Sequence, residues 1–354
     1  MLSGIIEVLV PAALSFIIGM LLTPILTHYL YLHKAWKKRP GKQALDGAIA
    51  HEFNRLHVEN EVRAPRMGGI VVWGSVLLTT VGIAVAANFF PAPSLMRFNF
   101  LSRSQTWLPL ATLLVGALAG FVDDLLVIRP SSGEGMRLRY RLLIVLALSL
   151  FVGWWFWAKL DVSTIDIPFM QPLFIGWLTI PLFVVVSLAL YASGVIDGID
   201  GLSGGVFASI FASYAIIAFA QGENDLAAFC AAVVGGLLAF IWFNIPPARF
   251  YMSDTGTFAL TLAIGTVAFM TDSLGGGVGI AVLPIIGGLL VITVLSDIAQ
   301  VTSKKLFGKK LLRIAPLHHH FEAIGWPPYK VVMRYWVLSV VFAALGVIVA
   351  LSAL

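Results

Sequence analysis

The chain contains one cysteine, Cys230, among 354 residues. That excludes an intramolecular disulfide, and in its apolar run the thiol reads as a small buried hydrophobe. Charge is equally scarce: 12% of residues are charged against 59% hydrophobic, where a soluble domain carries about a quarter charged. With a mean hydropathy of +0.93, a soluble globular protein is excluded. No internal repeat, low-complexity stretch or long polar segment marks a second domain, so residues 1–354 read as a single integral-membrane domain. The opening run Leu2–Leu26 holds Glu7 but no basic segment before it and no small-residue cleavage pattern. It is therefore expected to be a retained span and not a removable signal.

What is present is a succession of apolar runs. A bilayer core about 30 Å thick needs about 20 apolar residues per helix, and such runs recur near 3–26, 68–89, 107–122, 142–157, 174–193, 203–220, 226–243, 255–271, 277–303 and 331–353. The expected fold is an all-α polytopic membrane protein of about ten transmembrane helices, the ninth long enough to tilt or project. With the N-terminus outside, 19 of the 23 Lys and Arg residues fall in the alternate loops 27–67, 123–141, 194–202, 244–254 and 304–330. The positive-inside rule then gives an N-out, C-out orientation with those loops cytoplasmic. The net charge of +5 is thereby assigned to anionic membrane lipids and not to nucleic acid. The first cytoplasmic loop is expected to hold an interfacial helix around Ala48–Val58, and the alternating external loop 158–173 permits a short hairpin.

Ionisable groups at membrane depth are expensive, which makes their positions informative. Asp123 and Asp124 close the third run, Asp197 and Asp200 lie in the tight segment Gly194–Gly201, Asp254 opens the eighth run and Asp297 lies in the ninth. All fall on the cytoplasmic side of the expected topology. Asp200 and Asp254 would each serve as a helix cap. Five acids converging from separate loops, however, repel one another, and a divalent cation is the simplest neutraliser. Mg2+ suits all-oxygen ligands, keeps waters, and shares its shell with substrate phosphates. Gly198, Gly201, Gly204 and Gly205 surround the Asp197 segment, as an irregular polar cavity wall or as close helix packing. His318, His319 and His320 stand together in the last loop; zinc would require a four-ligand set that is not visible. Phosphate contact, proton transfer or loop structure remain for them. Asp297, Gln300 and Lys304 share one helical face, lining the same cavity or forming a polar seam between helices.

On these residues the chain resembles, nearly end to end, the polyprenyl-phosphate N-acetylhexosamine-1-phosphate transferases. The matching pieces are Pro65–Gly69, Phe121–Asp124, Asp197–Leu202, Asn244–Ala248 running into Asp254–Gly256, and Ala315–Glu322 followed by Gly325 and Trp326. The histidine piece points to the branch that transfers phospho-N-acetylmuramoyl-pentapeptide. Against that pattern, Val127 stands where Lys is usual, Gly194 where Asn is usual and Ser253 where Gly is usual. Glu61 and Arg66 stand where the family generally has Lys and Thr that meet the nucleotide sugar. Arg129, Arg137, Arg139 or Arg141 would replace the missing cation toward phosphate.

The resemblance implies UDP-N-acetylmuramoyl-pentapeptide and undecaprenyl phosphate as substrates, lipid I and UMP as products, Mg2+ as cofactor, a homodimer, and a place in the bacterial inner membrane. It implies that Asp254 is the principal metal ligand, with Asp123 and Asp124 as further metal-site residues orienting or deprotonating the lipid phosphate. His318 joins them as a catalytic residue. Asp197 and Asp200 would shape the nucleotide side, Tyr251 would stack on uracil, and Asn244, Gln300, His319, His320, Arg139 and Arg141 would complete the substrate pocket. The rival enzyme reading is transfer of N-acetylglucosamine phosphate to the same lipid, against which the histidines argue. A transporter is the non-enzyme rival, but the acids sit at helix ends on one face and not at the midplane between paired repeats.

Overall fold

In a computed structural model the described residues are 2–38, 62, 64–90, 92–102, 104–129, 135–273 and 276–354. The expected interfacial helix at Ala48–Val58 and the departure at Glu61 lie outside them. The long helices are α1 (Leu2–Leu32), α2 (Gly69–Phe89), α3 (Trp107–Ile128), α4 (Leu138–Lys159), α5 (Thr179–Ser193), α6 (Leu202–Ala220) and α7 (Asn224–Asn244). They are followed by α8 (Ser253–Ser273), α9 (Gly279–Ile286), α10 (Gly288–Phe307), α11 (Leu317–Ala323) and α12 (Pro328–Ser352). A two-stranded antiparallel ribbon pairs Thr164 with Phe174 and Ile165 with Leu173, so the alternation in the loop after α4 does form a hairpin.

The chain is an all-α polytopic membrane protein. Among the described residues eight helices are long and apolar enough to cross a membrane, or nine if one bent pair counts as a span. Two features separate this from the expected ten. The ninth run is not one tilted helix: α9 and α10 meet at 67°. Pro284 inside α9 lacks a backbone donor, and Gly287 and Gly288 follow it at the break. The other is α8, where Asp, Thr and Gly dilute the apolar run. From Thr255 to Asp272 every side chain of α8 is buried, so this helix is the axis of the bundle and is covered by protein.

A threonine-rich helix tolerates such burial because its hydroxyls bond back along the helix. Thr261 Oγ1 donates to the Thr257 carbonyl at 2.7 Å, Thr266 to Leu262 at 3.0 Å and Thr271 to Val267 at 3.0 Å. Around it Phe156 of α4, Phe183 of α5 and Phe269 of α8 interlock, with ring centroids 4.8–5.6 Å apart. Along α3 the contact is backbone to backbone: a Cβ on Gly120 would strike the carbonyl of Asp254. Glycine there lets the end of α3 lie directly on the first turn of α8.

Candidate active site

That close approach brings the acids together. The third helix runs on to Ile128, so Asp123 and Asp124 lie within its final turns and not beyond them. Both are fully buried, and a buried carboxylate requires partners. Asp124 has four. Its Oδ1 accepts from Arg66 Nε at 2.8 Å; its Oδ2 accepts from Ser253 Oγ at 2.7 Å, Thr255 N–H at 2.9 Å and Thr255 Oγ1 at 2.6 Å. Asp124 thus satisfies a backbone donor in the first turn of α8 from the neighbouring helix, a capping service the sequence suggested for Asp254.

Asp123 accepts the Met136 N–H at 2.5 Å and pairs with Arg141 Nη2 at 2.6 Å. Its carboxyl also meets that of Asp254 side chain to side chain. Asp254 is the open member, with 23% of its side chain exposed, and two guanidiniums flank the same oxygen: Arg66 Nη2 at 3.4 Å and Arg141 Nη1 at 3.6 Å. The expectation of uncompensated carboxylates is therefore corrected: Arg66 and Arg141 already neutralise part of the charge. Arg141 is further tied to the Met136 carbonyl at 3.0 Å and to Tyr191. Burial alone would lower the pKa of Arg66, but Asp124, then Asp254 and Asp197, outweigh it and hold the guanidinium above its ordinary value.

Behind this group, Asp197 accepts Ser203 Oγ at 2.7 Å and the Ser253 N–H at 2.8 Å. Burial raises its carboxyl above the usual range, opposed by those two bonds and by the charge of Arg66. Asp200 accepts the Ala248 N–H at 3.1 Å. Asn244 bridges the two loops, accepting from Gly201 N–H and donating to the Phe250 carbonyl, both at 2.8 Å. It is a brace between loops. Tyr251 exchanges backbone bonds with the Pro65–Gly68 segment, its N–H to the Pro65 carbonyl at 2.9 Å and its carbonyl from Gly68 N–H at 2.7 Å.

His318 and His319 are buried on α11 with ring centroids 4.3 Å apart. Both Nε2 atoms press on Gly198, where an added Cβ would lie 2.6 Å from each. The glycine between the two acids is thus required by the histidines above it, while Gly204 packs on Ile241 and Gly205 on Trp336. His319 Nδ1 lies 2.7 Å from Glu322 Oε2. The histidines stand over the Asp197 loop.

Three residues anticipated for the pocket are engaged elsewhere. His320 Nδ1 accepts the Arg313 N–H at 3.2 Å. Gln300 accepts the N–H groups of Leu311 and Leu312 at 3.0 and 2.8 Å and donates to the Leu312 carbonyl at 3.1 Å, fastening the loop before α11. Arg139 is exposed, donates to Tyr140 Oη at 3.1 Å and lies over that ring. No hydrogen bond or ion pair joins half-buried Asp297 to the cluster. Conversely, Ser253, Thr255 and Ser203 were not anticipated as site members, and Arg66 was anticipated only as a departure at a position that meets the nucleotide sugar in the resembling family. Ser253 had been visible only as a departure within an otherwise matching motif.

Among the described residues no three His, Cys, Asp or Glu side chains form a metal cage. The donor set does fit a cation that keeps its waters. The four carboxyl groups of Asp123, Asp124, Asp197 and Asp254 outnumber the two guanidiniums of Arg66 and Arg141, and the carboxyls of Asp123 and Asp254 meet beside the exposed edge. One or two carboxylates with water and phosphate is how Mg2+ is usually held.

Acids and guanidiniums gathered where buried helices end, in an all-α membrane bundle, define a multi-pass membrane transferase, and residues 106–272 match glycosyl transferase family 4. Over nearly the whole chain the similarity is narrower. A phospho-N-acetylmuramoyl-pentapeptide-transferase of Geobacillus thermodenitrificans is 33% identical over 96% of this chain and 97% of its own length. Enzymes of the same name from Geobacillus sp. (strain WCH70) and Anoxybacillus flavithermus are each 34% identical, over 94% and 96% of this chain and 95% and 97% of theirs. The chain belongs to the phospho-N-acetylmuramoyl-pentapeptide-transferase family.

Proposed function

We propose that the chain transfers phospho-N-acetylmuramoyl-pentapeptide from its UDP derivative to undecaprenyl phosphate, giving lipid I and UMP in peptidoglycan synthesis. The observation that carries this reading is the end-to-end similarity to transferases of that name, together with the exposed carboxylate between two guanidiniums. The site lies on the cytoplasmic side of the bacterial inner membrane, with both termini outside, and the enzyme works as a homodimer. The basic loops support that orientation.

An oxygen of the lipid phosphate attacks the sugar-linked phosphorus, and the bond to the bridging oxygen of UMP breaks. Both reactants are anionic, so placement and charge neutralisation supply most of the acceleration. Asp254, with Asp123 beside it, would hold Mg2+, which when bound would supply neutralisation of the phosphate oxygens. Asp124, which accepts four hydrogen bonds, positions Arg66 and the first turn of α8. Arg141, locked by Asp123, Tyr191 and the Met136 carbonyl, presents cationic N–H groups to phosphate and serves in place of the lysine absent at Val127. Asp197 and Asp200 shape the nucleotide side, Tyr251 offers an aromatic face to uracil, and His318 and His319 hold the Asp197 loop in place. Gln300, Asn244 and His320 fix the loops that carry these groups.

The test is UMP release by the purified protein with undecaprenyl phosphate and Mg2+. The muramoyl-pentapeptide substrate is expected to be used at least about tenfold more efficiently than UDP-N-acetylglucosamine, equivalent to about 1.4 kcal/mol. Equal or better use of UDP-N-acetylglucosamine would move the chain to the other transferase branch.

A further inference from the structure

The hairpin after α4 lies away from the acidic cluster. Arg141, in the first turn of α4, pairs with Asp123, and at 1.5 Å per residue the end of that helix at Lys159 is about 27 Å further along its axis. The hairpin therefore stands at the membrane face opposite the acids, external in the orientation proposed above. One side of it is fastened to the bundle. Val162 is buried and donates its N–H to the Phe156 carbonyl at 3.0 Å, while its own carbonyl accepts Thr179 Oγ1 at 2.8 Å. The Ser163 carbonyl accepts the N–H groups of Ile175 and Gly176 at 2.8 and 2.9 Å. Asp272, in the last turn of α8, accepts the Asp166 N–H at 3.2 Å.

What the hairpin leaves uncovered is apolar. Phe169 and Phe174 are each 75% exposed, and Met170, Leu173 and Trp177 are exposed with them. From Ile167 to Leu178 no residue is charged, and Gln171 is the only polar side chain apart from the Trp177 indole. The Met170 N–H closes a turn on the Ile167 carbonyl at 3.1 Å, with Pro168 in second place and Phe169 in third at φ +63°. Glycine or asparagine is favoured where the third residue of a turn has positive φ. A bulky side chain there is strained, yet this tip carries an aromatic ring that the fold does not bury.

The chain on either side identifies what covers it. The last turns of α4 expose Phe151, Trp154, Trp155 and Trp157, with Lys159 Nζ 5.8 Å from the centre of the Trp154 ring. The next stretch able to cross a membrane starts at Gly176. Tryptophans at the ends of spans mark the boundary of a bilayer. A protein partner would need a polar rim and about one hydrogen bond per 100–200 Å2, which a lone glutamine does not supply. We propose that the hairpin is a membrane anchor: Phe169, Met170, Leu173 and Phe174 enter the headgroup and acyl boundary of the leaflet opposite the active site. Its partner is a lipid surface, held by buried apolar area and not by charge. Asp272 ties this anchor to α8, whose first turn carries Asp254.

The experiment places single cysteines at Phe169 and Phe174, and at exposed Asn224 as a control, in the full chain carrying Cys230→Ser. Each is labelled with an NBD fluorophore and reconstituted into phosphatidylcholine nanodiscs. Quenching by doxyl-labelled lipid is expected to be at least about threefold stronger at the two hairpin positions than at the control, with quenching by aqueous iodide weaker there. Neither result should change with salt or with added anionic lipid. Met170→Cys replaces either hairpin variant if thermal unfolding shows that it has not folded. Iodide quenching as strong in the hairpin as at the control would place the hairpin in water and overturn the proposal. Protection from both iodide and doxyl lipid would also overturn it, because a second copy or another protein would then cover this face. Lipid quenching that appeared only with anionic lipid would overturn an anchor held by apolar area.

Discussion

Ser253 Oγ donates to Asp124 Oδ2 at 2.7 Å across 129 residues of sequence, from a backbone at φ +53°. The same oxygen accepts the Met67 N–H at 2.8 Å, so one hydroxyl joins the end of α3, the start of α8 and the loop that carries Arg66. Glycine, usual at this place in the resembling family, adopts that backbone without strain. Serine accepts about 1 kcal/mol or more of strain and gains two hydrogen bonds in return.

A pair of substitutions separates those terms. Ser253→Ala keeps the strain and loses both bonds, leaving the Met67 donor unsatisfied, a change of about 1–3 kcal/mol. Ser253→Gly loses the same bonds but relieves the backbone. Thermal unfolding in detergent should rank wild type and Ser253→Gly above Ser253→Ala; an alanine variant at least as stable as the glycine variant would refute the strain account.

Asp254→Asn should leave a folded, extractable protein while reducing turnover at least about a hundredfold, because the open carboxylate is lost and two guanidiniums are left without it. Asn is itself a good helix cap, and Asp124 already serves the first turn of α8. A variant with near-normal Mg2+-dependent UMP release would remove Asp254 from the metal site.

Asp197 offers a pH test with a definite sign. Its carboxyl is raised above the usual value, burial being the largest cause. The unfolded chain therefore loses this proton at lower pH than the folded one, and stability falls as pH rises from the ordinary aspartate value through the raised one. Asp197→Asn cannot titrate. Its amide can still accept Ser253 N–H through oxygen and donate to the Ser203 hydroxyl. The variant should match or exceed wild-type unfolding temperature at about pH 8, with an advantage that shrinks as the pH falls toward the ordinary aspartate value, while its transferase activity drops. An advantage that grew on acidification would contradict the raised pKa.

Orientation can be checked directly, since Cys230 is buried and the only cysteine. In a Cys230→Ser background, single cysteines near Lys38 or Lys310 should resist impermeant thiol reagents in intact cells, and a cysteine at the C-terminus should react. Labelling near Lys310 from outside would reverse the topology and take the proposed cytoplasmic site with it.

Sequence alone determined the membrane class, the apolar runs and the convergence of the acids at one end of the helices, and it permitted the hairpin after α4. These follow from local composition and from a periodicity that each segment carries by itself. Only the tertiary structure decided what those acids touch. Arg66 meets Asp124 across 58 residues and Asp254 across 188. Which cation reaches which carboxylate depends on how closely Gly120 lets α3 approach α8, and on the Tyr251 backbone bonds that aim the Arg66 loop. Gln300 and Arg139 show the same limit from the other side. Their residue types fit a phosphate pocket, but Gln300 finds backbone partners in the loop before α11 and Arg139 lies over Tyr140. The bend between α9 and α10 was written in Pro284, Gly287 and Gly288. Its angle was not, because the helices packed around it set that.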